Sequence, residues 1–185
     1  MSSVAEQPGI ITTDRLDLLP IEAEHAGEMA AVLSDPALYT FIGGQPPAAA
    51  ELRLQYRAWI AGSPDPAVTW CNWVIRLRAG ECLTGTVQAT ISGPAGERTA
   101  EIAWVVGTPW QGRGIATEAA RGLAGWLAQR GVRTVTAHIH PDHHASAAVA
   151  AAAGLSPTGD WREGEVRWCL STGTPGDLSS GQGRS

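Results

Sequence analysis

The chain of 185 residues contains no lysine, so all 13 of its basic residues are arginine. A phosphate-loop NTPase needs a lysine against the phosphates, and Schiff-base or pyridoxal chemistry needs a lysine amine, so both are excluded for this chain's own side chains. Cysteine is scarce too. Cys71, Cys82 and Cys169 lack metal-ligand spacing and cannot all pair internally, which predicts reduced thiols in a cytoplasmic protein. No apolar run reaches the roughly 18 residues that cross a bilayer. Residues 1–9 carry no basic stretch leading into an apolar one, so neither a membrane contact nor a secretory leader is expected. A surplus of positive charge is also missing: a net charge of −5 without a basic stripe argues against nucleic acid as a partner. Phenylalanine occurs once and tyrosine twice, against eight tryptophans.

What is present is ordinary globular material. With 44% apolar and 17% charged residues, the chain suits one domain with a proper core. Alternating apolar and polar residues predict strands at 15–20, 70–77, 83–91 and 99–106, the last three an antiparallel meander turning at Gly93-Pro94-Ala95-Gly96. Helical spacing predicts helices at 24–33 (stopped by Asp35-Pro36) and 48–61, with a linker at 39–44 between them. Further on, a helix at 115–129, a strand at 134–140, an alanine-rich helix at 144–153 closed by Gly154, and a strand at 166–171 complete the pattern. The expectation is a single mixed α/β domain over residues 10–171. Residues 1–9 read as a flexible N-terminus, and 172–185, rich in Gly, Ser and Pro, as a disordered tail.

The strongest chemical signal is the run Trp104-Val105-Val106-Gly107-Thr108-Pro109-Trp110-Gln111-Gly112-Arg113-Gly114-Ile115-Ala116, where a strand meets a helix. A helix start presents unpaired N–H groups and the positive end of the helix dipole, which favour a phosphate. Gly112 and Gly114 let the backbone approach an anion, and Gln111 and Arg113 can add side-chain donors. A glycine-rich turn in this place equally suits a purely structural role. The dinucleotide fingerprint G-x-G-x-x-G fails at Thr117, and the preceding strands are antiparallel where it needs a βαβ unit.

A second constellation, His138-Ile139-His140-Pro141-Asp142-His143, fits the H-x-H-x-D-H pattern of metal-dependent hydrolases. His138 and His140 on one strand face share a side, as a common zinc requires. The downstream histidines of such a site are missing. Glu101 shares a strand face with Ala103 and Val105, and apolar neighbours there predict a raised pKa suited to a general base. It reads equally as a surface residue paired across the meander with Arg98.

At these residues the chain resembles the GNAT N-acetyltransferase superfamily, and within it the branch that acetylates ribosomal-protein N-termini (the RimJ/RimL type). Gln111-Gly112-Arg113-Gly114-Ile115-Ala116 matches Q/R-x-x-G-x-G/A. Thr13-Asp14-Arg15-Leu16-Asp17-Leu18-Leu19-Pro20 resembles the branch's opening strand, and Ser34-Asp35-Pro36 its S-D-P. Ala100-Glu101-Ile102-Ala103-Trp104 is similar to A-E-I-G-Y. His140-Pro141-Asp142-His143-His144-Ala145-Ser146, followed by Ala153-Gly154-Leu155, resembles P-x-N-x-A-S and G-F. The matches run in order over about residues 10–170.

The resemblance implies a mostly antiparallel twisted sheet of six to seven strands flanked by about four helices, working as a monomer or homodimer without a metal. It implies acetyl-CoA as co-substrate, its pyrophosphate on the backbone of Gln111, Gly112, Arg113, Gly114, Ile115 and Ala116, and its pantetheine arm along Trp104, Val105 and Val106. The acceptor is then a small-molecule amine or a protein N-terminus, with Glu101 as general base. Ser146 and His143 serve the cofactor sulfur and leaving group. Many members use a tyrosine there, but the 144–153 helix has none, and His143 stands where the family has asparagine. The segment between the first two strands covers the acceptor, so Tyr39, Tyr56 and Trp59 are candidate acceptor contacts, in a stretch that also holds Phe41. Trp70, Trp73 and Trp161 are further candidates for lining a groove. A metal-dependent hydrolase built on His138, His140, Asp142 and His143, and a silent acyl-CoA-binding module, are the alternatives.

Overall fold

The computed structural model describes residues 8–172. The 1–9 and 172–185 segments therefore fall largely outside the described residues. Within them, the Gly9 carbonyl accepts the Trp73 indole N–H at 3.0 Å, and the Thr172 N–H donates to Arg133 O at 2.8 Å.

Twelve elements follow one another: β1 (Ile11–Thr12), β2 (Leu16–Pro20), α1 (Ala26–Val32), α2 (Ala49–Ala61), β3 (Thr69–Leu77), β4 (Cys82–Ser92), β5 (Arg98–Val106), α3 (Ile115–Gln129), β6 (Val132–Ile139), α4 (His144–Ala152), β7 (Ser156–Arg162) and β8 (Glu165–Ser171). The strands form one eight-stranded sheet in the order β1-β2-β3-β4-β5-β6-β8-β7. The mixed class and the four helices agree with expectation; the strand count of six to seven does not. β1 is two residues long, and β7 carries Pro157 and Gly159 and exposes most of its side chains at the sheet edge, so neither has a core-facing alternation to detect. The expected helix at 24–33 begins as a 3₁₀ turn, Ala23–His25, and a second such turn, Pro36–Tyr39, lies just ahead of the expected linker at 39–44 and ends on its first residue.

Each face of the sheet has its own core. On one, α3 lays down Ile115, Ala119, Leu123 and Leu127, a helical stripe of fully buried side chains, against Ile75, Val87, Ala100 and Val135. On the other, Met29 and Val32 of α1 and Leu52 and Tyr56 of α2 pack on Val74 and Leu83. Consecutive β3 residues Trp73, Val74 and Ile75 are all fully buried because the strand is covered on both sides. Among the described residues no helix is long and apolar enough to cross a membrane, and the three cysteines are free.

The feature that positions the site is the parting of β5 from β6. They are parallel neighbours only from Arg98↔Val132 to Glu101↔Thr136, after which β5 runs on to Val106 paired with β4 alone. The Gly107 N–H donates to Thr84 O of β4 at 2.8 Å. Because backbone groups alternate sides along a strand, the N–H groups of Trp104 and Val106 point the other way, into the gap.

Candidate active site

The loop after β5 closes on a 3₁₀ turn, Thr108–Trp110, and enters α3 through two left-handed glycines, Gly112 at φ 73° and Gly114 at φ 75°. Gly114 is the N-cap of α3, and only glycine takes this conformation without strain. With glycines alternating this way, the N–H groups of Gly112 through Ala116 find no acceptor among the described residues and line a concavity at the positive end of the helix, a geometry that favours negative charge.

Around the concavity the chain supplies a frame and a cation. Arg15 donates from Nη1 to the Arg113 carbonyl at 2.9 Å, and a Cβ placed on Gly114 would lie 3.4 Å from Arg15 Nη2. Glu118, in the first turn of α3, anchors this arginine and also accepts from the Thr13 hydroxyl at 2.6 Å. Burial draws the Glu118 carboxyl upward, but the bonds from Thr13 and Arg15 more than offset it and leave its pKa lowered. Gln111 and Arg113 differ from expectation. The Gln111 amide donates to Val106 O at 3.0 Å, tying loop to strand, and the Arg113 side chain is exposed outside the cleft lining.

The loop opens into a cleft of about 550 Å³. Trp104, Val105 and Val106 form one wall, Gln111, Gly112, Gly114, Ile115 and Ala116 the end, and His143 and Ser146 of the α4 start the other wall. The fourth side is the strap around the Pro36–Tyr39 turn, through Leu38, Phe41 and Ile42. Phe41 stacks on His143 with ring centroids 4.6 Å apart, and Asp35 Oδ2 accepts from the Thr108 hydroxyl at 2.6 Å, so the strap is pinned to both walls. Burial, with help from the charge of His140, lowers the His143 pKa and favours its neutral imidazole; Ser146 Oγ lies 3.4 Å from its Nε2.

A smaller chamber of about 80 Å³ continues from the cleft into the gap between β5 and β6, sharing Phe41, Ile42, Trp104, His143 and Ser146 and adding His138 and Glu165. Glu101 stands at the closed end of that gap, but its raised pKa is not found. Burial pushes it up, while a two-point grip by Arg162 (2.6 and 3.1 Å) and the neighbouring His138 together lower it. Its partner comes from the unforeseen β7 and not from Arg98.

The three aromatic acceptor candidates sit elsewhere. Tyr56 is 1% exposed in the second core and stacks on Trp59, and burial pushes its hydroxyl up to about 12. Trp59 packs at the edge of the same core, and the Tyr39 hydroxyl donates to Leu33 O at 2.9 Å. None of the three lines the cleft; their neighbours Leu38, Phe41 and Ile42 do. Trp73 is likewise core, while Trp161 is 61% exposed. Nor do the histidines of the metal pattern converge. His138 turns to Glu101, Nδ1 at 3.4 Å from Oε1, whereas His140 and His143 meet on Phe41, and among the described residues no group of three or more His, Cys, Asp or Glu is arranged for a metal.

Known proteins place this architecture. No curated protein matches the chain. Solved structures similar to it include a GNAT-family acetyltransferase from Bacillus anthracis (18% identity, 88% of this chain and 98% of that chain, TM-score 0.73). Also similar is RimL, a ribosomal L7/L12 alpha-N-protein acetyltransferase in complex with coenzyme A (18% identity, 88% and 97%, TM-score 0.72). A third is the microcin C7 self-immunity acetyltransferase MccE in complex with acetyl-CoA and AMP (16% identity, 86% and 93%, TM-score 0.72). At these identities the likeness establishes the fold. The family model described as acetyltransferase (GNAT) domain matches residues 15–156, most of the chain, and the chain therefore belongs to the GNAT acetyltransferase family.

Proposed function

We propose that the protein transfers an acetyl or similarly short acyl group from coenzyme A to a primary amine, directly, with both substrates bound together. The observation that carries this reading is the row of free N–H groups from Gly112 to Ala116 opening into a cleft that runs along the unpaired edge of β5. A diphosphate suits that row because backbone donors, helix dipole and the Arg15 guanidinium all favour negative charge there. The solved relatives with coenzyme A or acetyl-CoA bound support the same assignment.

The chain's own groups then have definite work. The N–H groups of Trp104 and Val106 hold the pantetheine arm, and the Val106 N–H polarises the thioester carbonyl as its oxygen gains charge. The cleft aligns the amine nitrogen with the carbonyl carbon, a positioning effect that supplies much of the rate. The C–N bond forms as the C–S bond breaks, and the electron pair leaves on sulfur. Ser146 and neutral His143, at the α4 start, donate hydrogen bonds to the departing thiolate. The amine proton leaves through the side of the smaller chamber lined by His138, whose ring faces Glu101.

One observation favours a second reading, a silent acyl-CoA-binding module: neither tyrosine of the chain lines the cleft as a proton donor. Thiol release separates the two. Purified protein is incubated with acetyl-CoA and peptides, polyamines or aminoglycosides, and free thiol is followed. Amine-dependent release is expected; none with any acceptor, alongside a melting temperature raised by coenzyme A, would establish the binding module instead.

A further inference from the structure

Glu101 is badly placed to take a proton. Both its oxygens are engaged by Arg162, Oε1 at 2.6 Å and Oε2 at 3.1 Å, and the guanidinium keeps it a carboxylate of low basicity. Beside it lies a better group. The His138 side chain is only 9% exposed, and its Nδ1 is buried without a hydrogen bond, 3.4 Å from Glu101 Oε1. The other ring nitrogen, Nε2, is not among the buried unpartnered atoms and has no hydrogen-bond partner among the described residues, and the ring lines the chamber that continues from the acyl cleft. A carboxylate facing Nδ1 selects the tautomer with the proton on that nitrogen, which leaves the Nε2 lone pair turned to the chamber.

We propose that His138 is the catalytic base, taking the proton of the acceptor amine on Nε2, and that Glu101 and Arg162 are positioning residues that fix its tautomer and stabilise the imidazolium. The inference rests on the acyltransferase reading above and names the residue that completes it. As the amine nitrogen bonds to the carbonyl carbon, its surplus proton passes to Nε2. The electron pair of the broken C–S bond stays on sulfur, and the thiolate, held by hydrogen bonds from Ser146 and His143, takes its proton from water. The imidazolium returns its proton to water through the chamber mouth. The chamber, about 80 Å³ and bordered by Glu165, attracts the amine end of an acceptor as an ammonium, which sheds its first proton to water before the free amine attacks.

The sequence motif around His138 invited a metal; the fold instead sets this ring across the gap from Glu101. Other ionisable groups face the same space: Glu165 and Arg167 on β8 (Arg167 being the cross-strand partner of His138), Arg162 from β7 through Glu101, and His140 and His143 at the chamber rim. The test therefore reads a pH profile together with single rates.

Acetyl transfer is measured as kcat/KM against pH for the wild type, His138→Gln, His138→Asn, Glu101→Gln and Glu165→Gln, each first checked for an unchanged coenzyme A melting shift. A base of this kind contributes about a hundredfold or more. Both His138 variants are expected to lose at least that at neutral pH and to lose the rising acidic limb, so that rate follows the free amine. Glu101→Gln should keep the limb, with kcat lowered about tenfold and KM little changed; Glu165→Gln should keep the limb and raise KM. The proposal is overturned if either His138 variant retains its coenzyme A shift and turns over within threefold of the wild type. It is equally overturned if Glu101→Gln alone removes the limb. Failure of the acyltransferase reading looks different: no amine-dependent thiol release by the wild type at any pH.

Discussion

Arg15 and Glu118, 103 residues apart in the chain, grip each other at two points: Arg15 Nε lies 2.7 Å from Oε2, and the Arg15 backbone N–H donates to Oε1 at 2.7 Å. Through this pair the residue just before β2 holds the first turn of α3 and, by way of the Arg113 carbonyl, the glycine loop before it. Neither residue lines the cleft, so their effect on it is one of shape and of charge.

Glu118→Gln removes the charge and loosens Arg15. Calorimetric titration should give coenzyme A binding weakened about tenfold, near 1.4 kcal/mol. The same variant carries a pH signature. Because the folded pKa of Glu118 lies below its ordinary value of 4.5, its charge stabilises the fold fully above that value and progressively less as pH falls through the folded one. Melting temperatures of wild type and variant should differ at pH 7 and converge below pH 4.5; a constant gap would show that the carboxylate charge is irrelevant.

Tyr56→Phe tests the reassignment of that residue from acceptor groove to core. Its buried hydroxyl has no partner among the described residues. Removing an unsatisfied polar group gains about 1 kcal/mol. A higher melting temperature with unchanged acetyl transfer is expected. A fall in kcat/KM beyond threefold for every acceptor would return Tyr56 to the site.

Gln111→Ala cuts the tie between the loop and Val106 O. A neutral hydrogen bond of this kind contributes about 1 kcal/mol, or roughly fivefold in KM for acetyl-CoA, with kcat nearly unaltered. If Gln111 touched the diphosphate directly, desulfo-coenzyme A and a pantetheine fragment lacking phosphate would respond differently to the substitution; equal binding of the fragment to both proteins is the direct-contact result, and weakened binding of both ligands is the one expected.

Phe41→Ala opens the strap. It removes the stack on His143 and the contact with His140, each worth about 0.5–1.5 kcal/mol. Loss of acetyl-CoA affinity by about tenfold and an increase in amine-independent hydrolysis should follow. Unchanged values of both would mean that the strap does not close the cleft.

These residues also mark what could be read from sequence. The helix at 115–129 has the boundaries found for α3, and the strand at 99–106 is β5 less one residue, because both carry an uninterrupted period and end in glycine. The glycine turn into α3 was visible for the same reason: Gly112 and Gly114, both left-handed in the fold, lie within one short run of sequence. Glu101 was visible as a residue, but its environment was not. Arg162 arrives on an edge strand with Pro157 and Gly159 and no alternation, so the charge that lowers its pKa had no local signal. Arg15 with Glu118 and Phe41 with His143 are about a hundred residues apart, beyond any periodic pattern. The single phenylalanine carried no motif that set Phe41 apart from its aromatic neighbours, of which Tyr56 and Trp59 share one face of α2 and pack in or against the second core, while Tyr39 bonds Leu33 O outside the cleft.

Whether backbone amides at the start of α3 hold a diphosphate is decided by amide nuclear magnetic resonance. With ¹⁵N-labelled protein titrated with coenzyme A, the amides of Gly112 to Ala116 should shift downfield together and saturate at one equivalent. The same amides should stay still in Gly114→Glu and when pantetheine replaces coenzyme A. Saturable binding of coenzyme A with those five amides unmoved would mean that the diphosphate lies elsewhere.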